Sequence, residues 1–283
     1  MNFVKMQATG NDFVLIDARQ MKKRDWSALA KAMCHRRFGV GADGILLIQP
    51  SIKADFYMRM FNPDGSEAEA CGNGLRCAAR YAIANGLVDK PEVRPEVRIE
   101  TPAGIKIARA KCKEGIQVNM GKPVLKPAAI PVVVQGRKVS DKAPVIDYPL
   151  TVGKRKLKIT CVSMGNPHAV CFLDRPVADF PLAEIGPQVE HHPMFPNRVN
   201  FHIVNFISRK KLGARVWERG AGETFSSGTG SCAVAVAAKL KGLRDNPVDI
   251  ILPGGTLTLD WDGKGEVLLS GPAEVVFEGK WKE

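Results

Sequence analysis

No apolar run in the chain approaches the roughly 20 residues of a membrane-spanning helix. The opening residues Met1-Asn2-Phe3-Val4-Lys5 carry no basic segment, apolar stretch or small-residue cleavage site of a secretory signal. The expectation is a cytoplasmic protein with no membrane partner. Cys-x-x-Cys is missing, and the five histidines stand apart from cysteine pairs, so zinc-site spacing is not found and no metal is expected. Seven cysteines are too few for a disulfide scaffold and their odd number excludes full pairing. Of the two glycine-rich segments, Cys71 to Gly74 and Ser227 to Gly230, neither is a Walker A loop and neither has Gly-x-Gly-x-x-Gly spacing, so neither reads as a nucleotide-cofactor signal. Aromatic residues make up only 7%, and despite a net charge of +12 the basic residues are scattered, as in Lys22 to Arg24, Lys154 to Lys158 and Arg209 to Lys211. Without a clustered basic stripe or basic-aromatic interleaving, no nucleic-acid partner is expected. The charge reads as a solvated basic surface that can also attract an anionic metabolite.

What is present is ordinary globular material: 283 residues, 45% apolar and 25% charged, enough for two compact domains. Strand patterns cover Phe3 to Met6, Asp12 to Asp17, Ile45 to Gln49 and Asp55 to Phe61, with a helix over Trp26 to Met33. Asn62-Pro63-Asp64-Gly65 is a turn, because Pro presets φ and Gly tolerates positive φ. Leu75, Ala78, Ala79, Ala82 and Ile83 follow a helical period that Gly86 stops. A proline-rich stretch (Pro123, Pro127, Pro131, Pro144, Pro149) is the candidate domain crossover. Strands resume at Leu157 to Val162, Ala169 to Leu173, Asn200 to Ile207 and Ala214 to Trp217. A helix at about Gly230 to Leu240, apolar nearly all round, should be buried and wrapped by strands. Four short strands close the chain, at Val248 to Leu252, Thr256 to Trp261, Glu266 to Ser270 and Glu274 to Phe277.

The most informative pattern is a repeat. Cys71-Gly72-Asn73-Gly74 and Ser227-Gly228-Thr229-Gly230 share a frame; each follows a Glu-containing approach, Glu67-Ala68-Glu69-Ala70 and Glu223-Thr224-Phe225-Ser226, and each opens an Ala-rich helix. The first N–H groups of a helix lack internal partners and carry partial positive charge, so they bind a carboxylate and favour a thiolate. Two such ends converging on one amino acid would hold its α-carbon between a base and an acid. Removing the proton from one face and returning one to the other inverts the centre. The architecture is read as α+β, two similar domains with the active site in the cleft between them. Of the remaining cysteines, Cys34, Cys77, Cys112, Cys161, Cys171 and Cys232, most are expected to be small core residues.

Over essentially its whole length the chain resembles the diaminopimelate epimerases. The resemblance is carried by Gly10-Asn11-Asp12-Phe13, Gly39 to Asp43, Phe61 to Ser66, Cys71 to Gly74, Met164-Gly165-Asn166-Pro167-His168, His191-His192-Pro193 and Asn197 to Asn200. Trp217-Glu218-Arg219-Gly220, Gly222-Glu223-Thr224, Gly228-Thr229-Gly230 and Gly271-Pro272-Ala273 complete it. It implies two pseudo-symmetric domains, each a mixed sheet or barrel around a central helix. These are taken as 1–122, with 273–283 returning to it, and 123–272. It further implies cofactor-free interconversion of LL- and meso-2,6-diaminopimelate, in lysine and peptidoglycan-precursor synthesis, by a homodimer. Cys71 and position 227 would be the acid/base pair, tuned by His168 and Glu218. Gly72, Asn73, Gly228 and Thr229 would hold the reacting carboxylate. Asn11, Asn62, Asn166, Asn200, Glu218 and Arg219 would hold the distal end, Arg219 as a fork on the carboxylate and Glu218 and the asparagines accepting from the amine. His191-His192-Pro193 lacks helical ligand spacing and is assigned a structural role.

The chain departs from the family at Ser227, where the pattern has cysteine. A hydroxyl is a much weaker acid than a thiol, and Cys232 lies beyond the first helical turn. Binding is expected to survive and net inversion to slow. The serine fits a natural variant, an engineered change that traps substrate, or a relative with one-face racemase or isomerase chemistry. A non-catalytic diaminopimelate-binding homologue is the alternative from another class.

Overall fold

The computed structural model describes residues 1–68, 71–88, 96–111, 115–134, 136, 142–243 and 245–282. Glu69, Ala70 and Cys112, named above, lie outside the described residues. The chain divides into two compact units, 1–119 with 270–283, and 120–269.

The first unit runs β1 (Asn2–Ala8), β2 (Asn11–Asp17), α1 (Trp26–Cys34), β3 (Gly44–Gln49), β4 (Phe56–Phe61), β5 (Glu67–Ala68), α2 (Gly72–Ala84), β6 (Glu96–Thr101), β7 (Gly104–Lys111) and β8 (Gly115–Asn119). Asp25 caps α1 by accepting from the Ala28 N–H at 2.9 Å, and Trp26, Ala30 and Met33, on one face, go into the core. β3 reads Gly-Ile-Leu-Leu-Ile-Gln without alternation because α1 packs against it on one side and α2 on the other. β6 alternates, with Val97 and Ile99 buried.

The second unit runs β9 (Tyr148–Val152), β10 (Arg155–Ser163), β11 (Pro167–Leu173), α3 (Leu182–Glu190), β12 (Asn200–Ser208), β13 (Lys211–Glu218), β14 (Gly222–Thr224), α4 (Gly228–Leu240), β15 (Val248–Leu252) and β16 (Gly255–Asp260). β17 (Leu268–Gly271) spans the boundary, and β18 (Glu274–Lys280) belongs to the first unit and pairs antiparallel with β1. α4 is the hub, its Ala and Val side chains buried against Ile250, Leu252, Leu257, Leu259 and Trp261. A helix apolar on every side is stable in water only with such a jacket of strands.

The two units repeat one pairing scheme. β1 pairs antiparallel with β2, β2 parallel with β3, β3 antiparallel with β4, and β4 with both β5 (antiparallel) and β6 (parallel). β10 to β15 follow the same sequence of partners. The register aligns the halves residue by residue. Phe13 sits opposite Gly44 where the second unit has His168 opposite Asn200. Two residues on, Leu46 corresponds to His202. The α+β architecture with a central helix in each half is therefore the observed fold. No helix among the described residues is long and apolar enough to cross a membrane.

Candidate active site

In the first unit Cys71 is the N-cap of α2, with φ −138° and ψ 121°, its sulfur accepting from the Gly74 N–H at 3.5 Å. The Asn11 side-chain oxygen lies 3.9 Å from Cys71 Sγ and accepts from Asn73 Nδ2 at 3.1 Å. Asn11 is itself oriented, because its Nδ2 donates to Asp43 Oδ2 at 2.6 Å. Arg36 bridges Asp43 and Asp12, and Lys5 closes the cluster on Asp12. Burial works to raise the Asp12 pKa, but the Arg36 and Lys5 contacts prevail and hold it at about 2. The Asn73 side-chain oxygen is buried without a hydrogen-bond partner among the described residues. Such an orphan costs about 1–3 kcal/mol in a closed protein. Asn62 is held in its own turn, its Nδ2 donating to Ser66 Oγ at 2.9 Å.

The second unit repeats the cap: Ser227 has φ −135° and ψ 117°, and its oxygen accepts from the Gly230 N–H at 3.3 Å. Here a carboxylate stands beside it. Ser227 Oγ donates to Glu218 Oε2 at 3.1 Å, and Thr224 Oγ1 donates to Glu218 Oε1 at 2.6 Å. Asn200 spends its amide on local backbone, Nδ2 donating to the Pro167 carbonyl at 2.9 Å and Oδ1 accepting from the Arg219 N–H at 3.0 Å. Arg219 Nη1 donates to the Asn197 carbonyl at 3.0 Å. The Arg219 loop is pinned from below by buried Glu190, which accepts from Trp217 Nε1 and from the Gly220 N–H.

His168 is fully buried and both ring nitrogens are engaged, Nε2 with Asn166 Oδ1 at 2.8 Å and Nδ1 with His202 Nε2 at 2.9 Å. Burial, the neighbouring His202 and the Arg219 charge push its pKa well below the usual histidine value. Burial alone takes His202 down to about 3. Both rings are neutral near pH 7. Asn166 thus presents its oxygen to His168.

The other described cysteines are buried, and burial pushes Cys34 and Cys171 up to about 11 and Cys77 and Cys161 up to about 12. Burial keeps these thiols protonated at neutral pH, and among the described cysteines only Cys71 is partly exposed. His191 and His192 serve their own turn, through the Pro187 carbonyl and the Met194 N–H. Among the described residues no three His, Cys, Asp or Glu side chains gather as a metal site.

Comparisons with known proteins give the family. The diaminopimelate epimerase family model matches residues 3–126 and 160–276. The chain belongs to the diaminopimelate epimerase family. The diaminopimelate epimerase of Acetivibrio thermocellus is 45% identical, with 99% of this chain and 98% of the relative aligned. That of Moorella thermoacetica is 46% identical over the same shares. Among solved structures, a Bacillus anthracis phenazine biosynthesis protein of the PhzF family superposes with a TM-score of 0.70 at 20% identity, covering 99% of this chain and 98% of the other. A hydroxyproline epimerase from Agrobacterium vitis gives 0.67 at 15% identity, covering 99% and 91%. These structural likenesses speak to the fold, and membership in the family makes the chain an isomerase of the epimerase type.

His202, Asp43 as the orienter of Asn11, Thr224 and Glu190 were not singled out from the sequence. For His202 a signal existed, since it lies two residues beyond Asn200 on β12 and so on the same face. Glu190 gave none, because its partners Arg198, Trp217 and Gly220 are 8, 27 and 30 residues away.

Proposed function

We propose that this epimerase interconverts LL- and meso-2,6-diaminopimelate without a cofactor, by proton transfer between Cys71 on one face of the α-carbon and Ser227 on the other. The observation that carries the reading is the matched pair of helix caps, with backbone angles within a few degrees of each other and the same Gly N–H at the third position. Gly72, Asn73, Gly228 and Thr229 hold the reacting carboxylate at the helix ends, whose N–H groups favour the charge that develops as the proton leaves. Asn11, Asn62, Asn166, Asn200 and Arg219 hold the distal amino-acid end, Glu218 is placed by its bond to Ser227 at the reacting end, and the buried Asn73 oxygen is suited to the ammonium of that reacting end.

Serine changes how the second face works. An isolated alkoxide is inaccessible at neutral pH, but Ser227 already donates to Glu218. In our reading the α-proton passes to Ser227 Oγ as the serine proton passes to Glu218. The Cα–H bond breaks and a serine O–H forms, while the original serine O–H breaks and a carboxyl O–H forms. The electron pair left on carbon takes a proton from the Cys71 thiol. The reverse direction uses the Cys71 thiolate as base and protonated Glu218 as the proton source. Because the equilibrium is fixed by the isomers, any deficit from serine lowers kcat/KM by the same factor both ways. His168 tunes the pair through its neighbours. The cytoplasmic location and homodimer are carried over from the family.

A coupled epimerisation assay on the protein as given, on Ser227→Cys and on Cys71→Ala tests the reading. Turnover in the first two and none in Cys71→Ala is expected. Affinity for diaminopimelate without turnover in the first would make the chain a binding homologue.

A further inference from the structure

The second unit contains a buried polar pair where the first is apolar. The register that aligns the halves puts His168 in the place of Phe13 and His202 in the place of Leu46. The helices agree. A side chain at Gly74 would meet Leu46 first, and one at Gly230 would meet His202. Leu46 and Phe13 satisfy packing alone, so packing does not call for two histidines at these places. Burying two imidazoles is costly unless their nitrogens are paired, and here they are paired to each other and then to Asn166.

The chain of bonds has a direction. Asn166 Oδ1 can only accept, so His168 Nε2 carries a proton and donates to it. A neutral His168 then has an unprotonated Nδ1, which accepts from His202 Nε2–H. With its oxygen committed, Asn166 offers its NH2 group to whatever lies on its other side. In the opposite tautomer of the pair, every bond reverses and Asn166 offers its oxygen.

We infer that His202 is a positioning residue that, through the tautomer of His168, turns the Asn166 amide so that it donates to a carboxylate of the amino-acid substrate. The inference rests on the proposed function insofar as Asn166 contacts substrate. It assigns His202 a role in substrate grip and none in the proton transfer itself. It also accounts for the difference between the halves, because Asn166 corresponds in the repeat to Asn11, whose amide is oriented instead by Asp43.

The test compares His202→Leu, which installs the residue of the first half, with His202→Gln, whose Nε2 can still donate to His168. Nitrogen-15 NMR of the imidazoles in the substrate-free protein should show His168 protonated at Nε2 in the parent and in His202→Gln. In His202→Leu that preference should be lost. With diaminopimelate, His202→Leu should raise KM on the order of 10-fold, the value of a hydrogen bond to a charged group, with kcat little changed. His202→Gln should recover most of it. His168 protonated at Nδ1 in the parent would overturn the inference, as would equal KM effects of the two variants or a loss confined to kcat. If the parent shows the Nε2 tautomer but no turnover of diaminopimelate, the proposed substrate falls while the His202–His168–Asn166 chain stands.

Discussion

Adding one methyl group at Gly230 should damage the second half far more than the same change at Gly74 damages the first. A Cβ at Gly230 would lie 2.9 Å from Ser227 Oγ and 3.0 Å from His202 Nε2, and closer still to His202 Cε1. The imidazole cannot swing away, because it is fully buried and bonded to His168. Overpacking of this kind costs about 1–3 kcal/mol, and breaking the His202–His168 bond adds about 1–3 kcal/mol for the stranded polar atoms. Alanine's helical advantage over glycine returns at most about 1 kcal/mol. Gly230→Ala should therefore lose about 1–6 kcal/mol, about 3 at the middle of these ranges. At Gly74 the nearest atom is Leu46 Cδ2 at 3.0 Å, the end of a flexible chain, so Gly74→Ala should stay within about 1 kcal/mol of the parent. Urea unfolding of both variants measures the difference. Repeating Gly230→Ala in a His202→Ala background should bring its cost under about 1 kcal/mol, since the obstructing ring is gone. An unchanged cost there, or equal costs at Gly230 and Gly74, would refute the argument.

Three further outcomes follow from the same contacts. Burial holds His168 and His202 neutral in the folded state, whereas in the unfolded chain they titrate near 6.5. Their folded pKa is the lower one, so stability is full above about pH 6.5 and falls as the unfolded chain takes up protons, by about 1 kcal/mol per histidine between pH 7.5 and 5.5. Urea unfolding at the two pH values should show this loss, and His202→Leu should halve it. Native alkylation with iodoacetamide, mapped by peptide mass, should modify Cys71 and leave Cys34, Cys77, Cys161, Cys171 and Cys232 untouched, because those thiols are buried. Finally, Glu218→Gln should cost at least about 10-fold in kcat with Ser227 present but markedly less with Ser227→Cys, since a thiol ionises without a carboxylate's help. Equal losses in the two backgrounds would mean that Glu218 only binds substrate.

The sequence made much of this visible because its strongest signals are local. β15 at Val248–Leu252 begins and ends where its apolar pattern does. α1 differs from its expected span by one residue at its end. Both helix caps were legible because Cys/Ser-Gly-x-Gly before an Ala-rich stretch is a helix-start pattern in itself. α3 was not legible: Pro187 stands inside it and no side chain caps it, so only packing of Leu182, Ile185 and Val189 against the core sustains the helix. Around the two caps, the polarity of the hydrogen bonds was not readable. Nothing local says that Asn166 gives its oxygen to His168, or that Asn200 is engaged with the Pro167 carbonyl and the Arg219 N–H. Those assignments depend on partners brought together by strand register, as with His168 beside Asn200 and Val170 beside His202.

The central claim is that Cys71 and Ser227 exchange protons with the two faces of one α-carbon. Incubating LL-diaminopimelate with the protein in heavy water and following the α-carbon by proton NMR and mass spectrometry reads that exchange directly. The account predicts deuterium at the α-carbon together with appearance of the meso isomer, both abolished in Cys71→Ala. Absence of deuterium from the α-carbon of either stereoisomer, at enzyme concentrations that saturate with substrate, would contradict it.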